Sequence, residues 1–429
     1  MANLLLDRLR EKDKDGLFNQ ECSLVTYPTG IPTLDYRLGY RLISKDDNEN
    51  ILDVHDCLGV AGGGFVTIIG NSGTAKTALA CKLAGEITKP FENAFVVHYD
   101  IENAMNVTRY KNLTGFTNKE MKEKIIIKSG RTYIENISDT ILEICEEKSK
   151  HKKDYEYTTD FKDEFGEPIT IYQPTVLIID SIPQLCREPE KKVVKAKKGS
   201  GEEDYEVEDV NFGKNTYYMT VAKDLTEFYN KFLGRVREYN IIVISINHIR
   251  TRINMDMFAK PSEMLYLKPD ERIPGGKASL YYASTLIKHT AIGKTKATIE
   301  EDGYSGFTVK AEIIKCRTNV SGGISVPMVY DQNKGFSKER TLLYYAKEEM
   351  GILNGGRKNA RYLGDRDNVK FNEVDIVNEF KRPEVQQVFE ELVYPHLENL
   401  IARSDDDSIV INNNNEGITD EQIERIFND

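Results

Sequence analysis

Four short apolar runs constrain the fold most: FVTIIG (65–70), AFVVHYD (94–100), TVLIID (175–180) and IIVISIN (241–247). Each breaks off into polar residues, and their length and β-branched content read as strands buried on both faces. Helix-length segments lie between them, such as TALACKLAGEI (77–87) and NTYYMTVAKDLTEFYNKFLGRVREY (215–239). Strands alternating with helices predict an α/β fold, a twisted and mainly parallel sheet flanked by helices. FTVKAEIIKCR (307–317) predicts a further strand, whose alternation fits a sheet edge.

Around this core the organisation is read from composition. Residues 1–60 mix short helical and turn signals and close on GVAGGG (59–64). Two polar stretches, 151–168 and 187–209, interrupt the pattern and read as mobile insertions. Beyond 335 the character turns helical, with Val385, Val388, Phe389, Leu392, Val393, Leu397 and Leu400 at helical spacing. Pro383 suits a helix start, and Pro395 argues against one straight helix. Net charge is −11, yet residues 405–429 carry eight acids against one base, so most of the excess sits in an acidic tail. Nucleic acid is therefore not excluded as a partner. No apolar run reaches the roughly 20 residues of a membrane span. The six cysteines form no CxxC pair, so neither a disulfide framework nor a zinc site is indicated, and a reducing, cytoplasmic setting is expected.

GNSGTAKT (70–77) directly follows a strand and precedes a helix, the context of a phosphate-binding loop. Backbone amides of Gly70, Asn71, Ser72, Gly73, Thr74 and Ala75 would wrap a β-phosphate at the positive end of the helix dipole. Lys76 would reach the β- and γ-phosphates, and Thr77 would ligate Mg²⁺. Ala75 stands where the usual pattern has a second glycine. Asp180, closing the TVLIID strand, would hold the metal's water shell. Asp100 and Glu102 follow the neighbouring strand and face the same crevice. Glu102 has the better reach to orient and deprotonate a water; Asp100 also reads as a helix cap. ATP and Mg²⁺ are the implied ligands.

Taken in order, PTGIPTLDYRLGY (28–40), GNSGTAKT, YDIENA (99–104), IIDS (178–181), SINHIR (245–250), PGGKASLYYAS (274–284) and IIKCRTN (313–319) resemble the motifs of RecA-type DNA recombinases, their bacteriophage branch in particular. The resemblance covers roughly residues 25 to 330. It implies a RecA-like ATPase core over 61–335, with the DNA-binding loops, an oligomerisation segment over 1–60 and a small helical region over 336–404. It also implies that Glu102 is the catalytic glutamate and that His248, where bacterial members carry glutamine, senses the γ-phosphate. Arg109 lies near the position of an adenine-stacking tyrosine. The implied activity is ATP hydrolysis by a filament on single-stranded DNA that pairs with duplex DNA, with single-strand-binding and loader proteins as further partners. A ring-forming replicative helicase and a non-catalytic recombination mediator remain alternatives.

Lys315 and Arg317, two apart on a strand, point to one face. They read either as a solvated basic edge or, through the resemblance, as fingers that reach the neighbouring subunit's ATP. Arg250, Arg252, Lys260, Lys268, Arg272 and Lys277 are candidates for DNA phosphates, with Gly275 and Gly276 allowing close backbone approach. Lys191, Lys192, Lys195, Lys197 and Lys198 form a second basic patch. Tyr281 reads equally as core or as an interface residue.

Overall fold

The computed structural model describes residues 25–401, except 47, 49, 164–165, 188–190, 195–204, 209–214, 252–265, 269 and 320–323. Nine strands form its main sheet: β1 (Gly64–Gly70), β2 (Phe95–Asp100), β3 (Ile125–Ser129), β4 (Thr175–Asp180), β5 (Ile241–His248), β6 (Thr285–Ala297), β7 (Gly306–Cys316), β8 (Ser325–Asp331) and β9 (Gly335–Phe336). Their order across the sheet is β9-β8-β7-β6-β1-β5-β4-β2-β3. From β3 to β6 every pairing is parallel; β6, β7, β8 and β9 pair antiparallel. The FTVKAEIIKCR segment is thus not an edge: β7 is paired on both sides, and its polar alternation reflects the exposed end of the sheet.

Side-chain alternation along the strands builds two cores. Val66, Ile68, Val176, Ile178, Ile242 and Ile244 face helix α1 (Lys76–Thr88) through Leu79, Leu83 and Ile87. Phe65, Leu177, Ile179 and Val243 face the other way, onto α2 (Ile134–Lys150) and α3 (Asn215–Glu238), where Leu225, Phe228, Tyr229, Phe232 and Val236 keep helical spacing. Each such side chain, fully buried, contributes about 1.5–3 kcal/mol. With both faces covered, the parallel strand ends are left as the open crevice.

Residues Val25, Tyr27, Ile31, Leu34 and Leu38 belong to the α1-side core, and Thr26–Tyr27 pairs with Val60–Ala61. The expected boundary at residue 60 therefore falls inside continuous packing, because this stretch supplies apolar cover that α1 alone does not. Residues 1–24 lie outside the described residues. The stretch 151–168 is likewise no loose insertion. It forms a helical turn, Lys152–Tyr155, and the first strand of a hairpin, Glu156–Lys162 with Pro168–Tyr172. That hairpin packs on a second one, Tyr40–Lys45 with Ile51–Cys57. Phe161 lies 4.2 Å from His55, and Ser44 Oγ donates to the Asp163 carbonyl at 2.6 Å. Tyr157, Thr159 and Phe161 keep the strand period that the intervening polar residues obscure.

Leu342, Leu343, Phe371, Ile376, Val385, Phe389 and Leu397 form a separate core in the C-terminal region. Helices occupy 338–344, 376–379, 383–392 and 394–398, the last two divided just before Pro395. Between them, 350–375 is mostly irregular, with one short antiparallel pair, Leu353–Asn354 and Tyr362–Leu363. The acidic tail lies outside the described residues. Among the described residues, no helix is long and apolar enough to cross a membrane.

Candidate functional site

At the carboxyl ends of β1, β2, β4 and β5 a cavity of about 430 Å³ opens, lined by Ser72 to Ala78, Glu102, Arg109, Asp180, His248, Phe307, Tyr330 and Gln332. Its floor is the turn from β1 into α1. Ala75, the residue before the helix, sits in the left-handed region at φ 58°, ψ 30°, and gives no side-chain cap. An alanine there costs about 1–2 kcal/mol. The first-turn amides of a helix lack intrahelical partners, and those of α1 lie at the cavity floor, where Lys76, Thr77 and Ala78 line it.

Lys76 is buried; its Nζ donates to the carbonyls of Gly70 at 3.0 Å and Asn71 at 2.7 Å. Burial draws its pKa down to about 8, against the upward pull of Asp180 and Glu102. Thr77 Oγ1 donates to Asp180 Oδ2 at 2.6 Å. Burial pushes Asp180 up to about 6; Glu102 and Asp100 add to the rise, while the Thr77 hydroxyl and Lys76 oppose it. A desolvated cation beside free amides fits a phosphate chain. A hydroxyl paired with a carboxylate that lacks a cation in hydrogen-bond contact fits a divalent metal shared with that phosphate. Among the described residues no group of three or more His, Cys, Asp or Glu is placed to hold a metal ion.

Glu102 faces His248 across the crevice, with Nε2 2.9 Å from Oε1. Ser181 Oγ at 2.8 Å and Gln184 Nε2 at 2.9 Å reach the same oxygen. Burial would raise the Glu102 pKa; hydrogen bonds from Ser181, His248 and Gln184 outweigh it and hold the carboxyl below its ordinary value. Asp100 is elsewhere. Buried at the end of β2, it accepts the amides of Ala104 and Met105, both at 3.1 Å, so it fixes the turn that carries Glu102 and does not line the cavity.

The outer wall joins Arg109, expected at the site, to residues that the sequence does not single out. Arg109 Nη2 donates to Tyr330 Oη at 3.3 Å, and Phe307 packs on Tyr330 with centroids 5.2 Å apart. Phe307, Tyr330 and Gln332 come from β7, from β8 and from just past its end. His289 on β6 is a second omission. It is buried, its pKa pushed down to about 4 by burial, and its Nδ1 lies 2.9 Å from the Thr74 carbonyl, propping the turn from behind.

Lys315 and Arg317 do not line the cavity of their own chain. Lys315 Nζ donates to the Tyr281 carbonyl at 2.6 Å and lies 5.9 Å above the Tyr281 ring, which is 74% exposed. Burial and repulsion from Arg317 lower the pKa of Lys315, and burial with repulsion from Arg237 lowers that of Arg317.

Arg250 and Arg272 stand directly opposite in a two-stranded ribbon, Arg250–Thr251 with Glu271–Arg272, and both are exposed. Like charges so placed repel. Lys277 and Lys268 are exposed nearby in sequence. Gly275 and Gly276 take φ 81° and 79°; a Cβ on Gly275 would lie 2.8 Å from Ile182 and one on Gly276 3.1 Å from Ala222. The close approach expected of these glycines is made to the chain's own residues. Asn247 at the end of β5, fully buried, donates from Nδ2 to the Pro274 carbonyl at 3.0 Å and accepts the His248 amide at 2.8 Å. Lys191 and Lys192 fall on a strand, Lys191–Val194, paired with Tyr205–Glu208. Arg252, Lys260, Lys195, Lys197 and Lys198 lie outside the described residues.

No protein-family model matches the chain, and no curated protein matches it significantly.

Proposed function

We propose that this chain is an ATP-dependent, DNA-dependent recombinase with a RecA-like core, which polymerises on single-stranded DNA and promotes pairing and strand exchange with a duplex. The observation that carries the reading is the meeting, in one cavity, of the Lys76 ammonium, the Thr77–Asp180 pair and Glu102 facing His248. These are the parts that ATP hydrolysis needs: a phosphate cradle, a metal position, a base and a donor beyond it.

In this reading Lys76 leaves the carbonyls of Gly70 and Asn71 for the β- and γ-phosphates, whose negative charge offsets its burial. Mg²⁺ bound at Thr77, and through water at Asp180, would neutralise charge on the phosphates. Glu102 orients a water and takes its proton as the water oxygen bonds to the γ-phosphorus; the bond from that phosphorus to the bridging oxygen breaks, and ADP leaves. His248 donates toward the γ-phosphate. The guanidinium of Arg109 and the ring of Tyr330 flank the position left for the base. Lys315 and Arg317 act on the neighbouring subunit's nucleotide, as fits two cations whose own cavity lies elsewhere. Asn247 ties His248 to Pro274, and so to the Arg250, Arg272 and Lys277 surface that holds DNA phosphates.

Hydrolysis measured with and without single-stranded DNA, beside negative-stain microscopy with a slowly hydrolysed ATP analogue, tests this. Stimulated turnover and filaments of variable length are expected. Closed hexamers would move the reading to a ring helicase, and nucleotide-dependent association without DNA-stimulated hydrolysis would move it to a mediator.

A further inference from the structure

Along the outer wall of the cavity, β7 and β8 present one continuous face. Phe307 and Tyr330 stand directly opposite each other in the ladder. One step further, Ser305 and Gln332 oppose each other in the same way. The Gln332 backbone amide donates to the Ser305 carbonyl at 2.8 Å, and the Ser305 hydroxyl donates to Gln332 Oε1 at 3.3 Å. Residues two apart share a face of a strand, and Gln332 follows Tyr330 into the cavity. Asp331 and Asn333 alternate with them and line a separate cavity. The two strands approach closely here, because a Cβ on Gly306 would strike the Tyr330 carbonyl.

Phe307, Tyr330 and the Arg109 guanidinium offer flat surfaces to a flat ring, and Gln332 stands beside them. A side-chain amide carries an oxygen with two lone pairs and a nitrogen with two hydrogens. Ser305 takes one lone pair of Oε1 and so sets which end of the amide is the oxygen. What remains is an acceptor next to donors. Adenine presents the complement, an exocyclic amine beside a ring nitrogen, which a glutamine amide pairs with at both positions. Guanine carries a carbonyl where adenine has the amine, so it sets oxygen against oxygen.

We propose that Gln332 is a specificity-determining residue that reads the 6-amino group of adenine and the ring nitrogen beside it, with Ser305 fixing the orientation of its amide. The proposal deepens the ATPase reading above and rests on it. Gln332 is exposed, so water competes for its amide. The expected preference for ATP over purine riboside triphosphate, which lacks only the amine, is therefore about five- to thirtyfold, the lower part of the range for such a pair.

The test titrates full-length wild type, Gln332→Ala, Gln332→Glu and Ser305→Ala with ATP, GTP, purine riboside triphosphate and inorganic triphosphate in Mg²⁺, reading Kd by calorimetry. Wild type should prefer ATP to both other nucleotides. Gln332→Ala should bring the preference over purine riboside triphosphate to within about twofold, by weakening ATP the more. Gln332→Glu keeps the acceptor but sets a second oxygen against the ring nitrogen, so it should weaken ATP and purine riboside triphosphate alike. Ser305→Ala frees the amide to turn and should narrow the preference for ATP over GTP. Inorganic triphosphate, which has no base, should bind all four proteins within about twofold. Equal wild-type affinity for ATP and purine riboside triphosphate would overturn the proposal. So would a Gln332→Ala protein that keeps the wild-type preference, or that loses inorganic triphosphate together with the nucleotides, the mark of a merely structural role. Wild-type protein that binds none of the four ligands would instead remove the ATPase reading, and this proposal with it.

Discussion

Replacing Lys76 with methionine should stabilise the nucleotide-free protein while abolishing its response to ATP. Burial moves the Lys76 pKa from 10.5 to about 8. At 1.36 kcal/mol per pH unit, keeping the ammonium charged in that position costs about 3 kcal/mol at neutral pH. Methionine fills a similar volume without the charge. It loses two hydrogen bonds, worth about 1 kcal/mol each. Neither carbonyl is orphaned, because Gly70 O also accepts the Ile249 amide at 3.1 Å and Asn71 O the Thr74 hydroxyl at 2.9 Å. The variant should thus gain about 1 kcal/mol at about pH 7. The folded-state pKa lies below the unfolded one, so between 8 and 10.5 the unfolded chain holds more protons and wild-type stability rises with pH. By about pH 9.5 the wild type should have recovered about 2 kcal/mol on the variant. Urea unfolding at both pH values, with and without Mg²⁺ and ATP, reads all three terms. Nucleotide at a hundredfold its Kd should stabilise wild type by about 2.7 kcal/mol and the variant not at all. A variant less stable than wild type by about 2 kcal/mol at neutral pH, or parallel pH curves for the two proteins, would refute the reasoning.

Other consequences are sharper in activity. Glu102→Gln should retain ATP and DNA binding and lose about 10²–10⁴-fold in turnover, read by single-turnover hydrolysis; near-normal turnover removes this glutamate from the chemistry. Mixing Lys76→Ala protein with Lys315→Ala/Arg317→Ala protein should restore part of the ATPase, since mixed assemblies contain one intact pairing of cavity and fingers, and no recovery at any ratio in verified mixed assemblies argues against action across subunits. Arg272→Gln should relieve the repulsion from Arg250 and lower the slope of log affinity for single-stranded DNA against log salt by about 0.7. An unchanged slope in a salt titration would take this ribbon out of the DNA surface.

What could be read in the chain beforehand was what short-range pattern encodes. The strands at 65–70, 95–100, 175–180 and 241–247 are continuous apolar runs because helices cover both faces, and their ends had to share a crevice. That is why Glu102 and Asp180 were legible as neighbours of Lys76, whereas His248 was expected there only through the resemblance of SINHIR to the recombinase motif. Contacts between distant segments were not. Tyr330 and Phe307 reach the cavity through the antiparallel extension of the sheet, whose register no local pattern specifies. Asp100 and Glu102 are two residues apart and chemically alike, but the Ala104 and Met105 amides claim the first and leave the second to the cavity. The hairpin at 156–172 was hidden because its exposed face is as polar as a loop.

The two connections from the cavity differ in how they would move. Asn247 is fully buried and bonded at both ends of its amide, so shifting Pro274 while keeping His248 in place would strand either the Pro274 carbonyl or an amide hydrogen. An unmade bond of that kind costs about 1–3 kcal/mol. The Gly275 contact with Ile182 is steric and has no slack, since even a methyl group there would approach within 2.8 Å. Packed contacts without slack do not deform gradually; they exchange one arrangement for another. The segment that carries Pro274 and Gly275 and the turn that ends at Gln184 therefore share one boundary, Gly275 against Ile182. Displacement on either side is transmitted to the other, and both connections end on the same oxygen of Glu102.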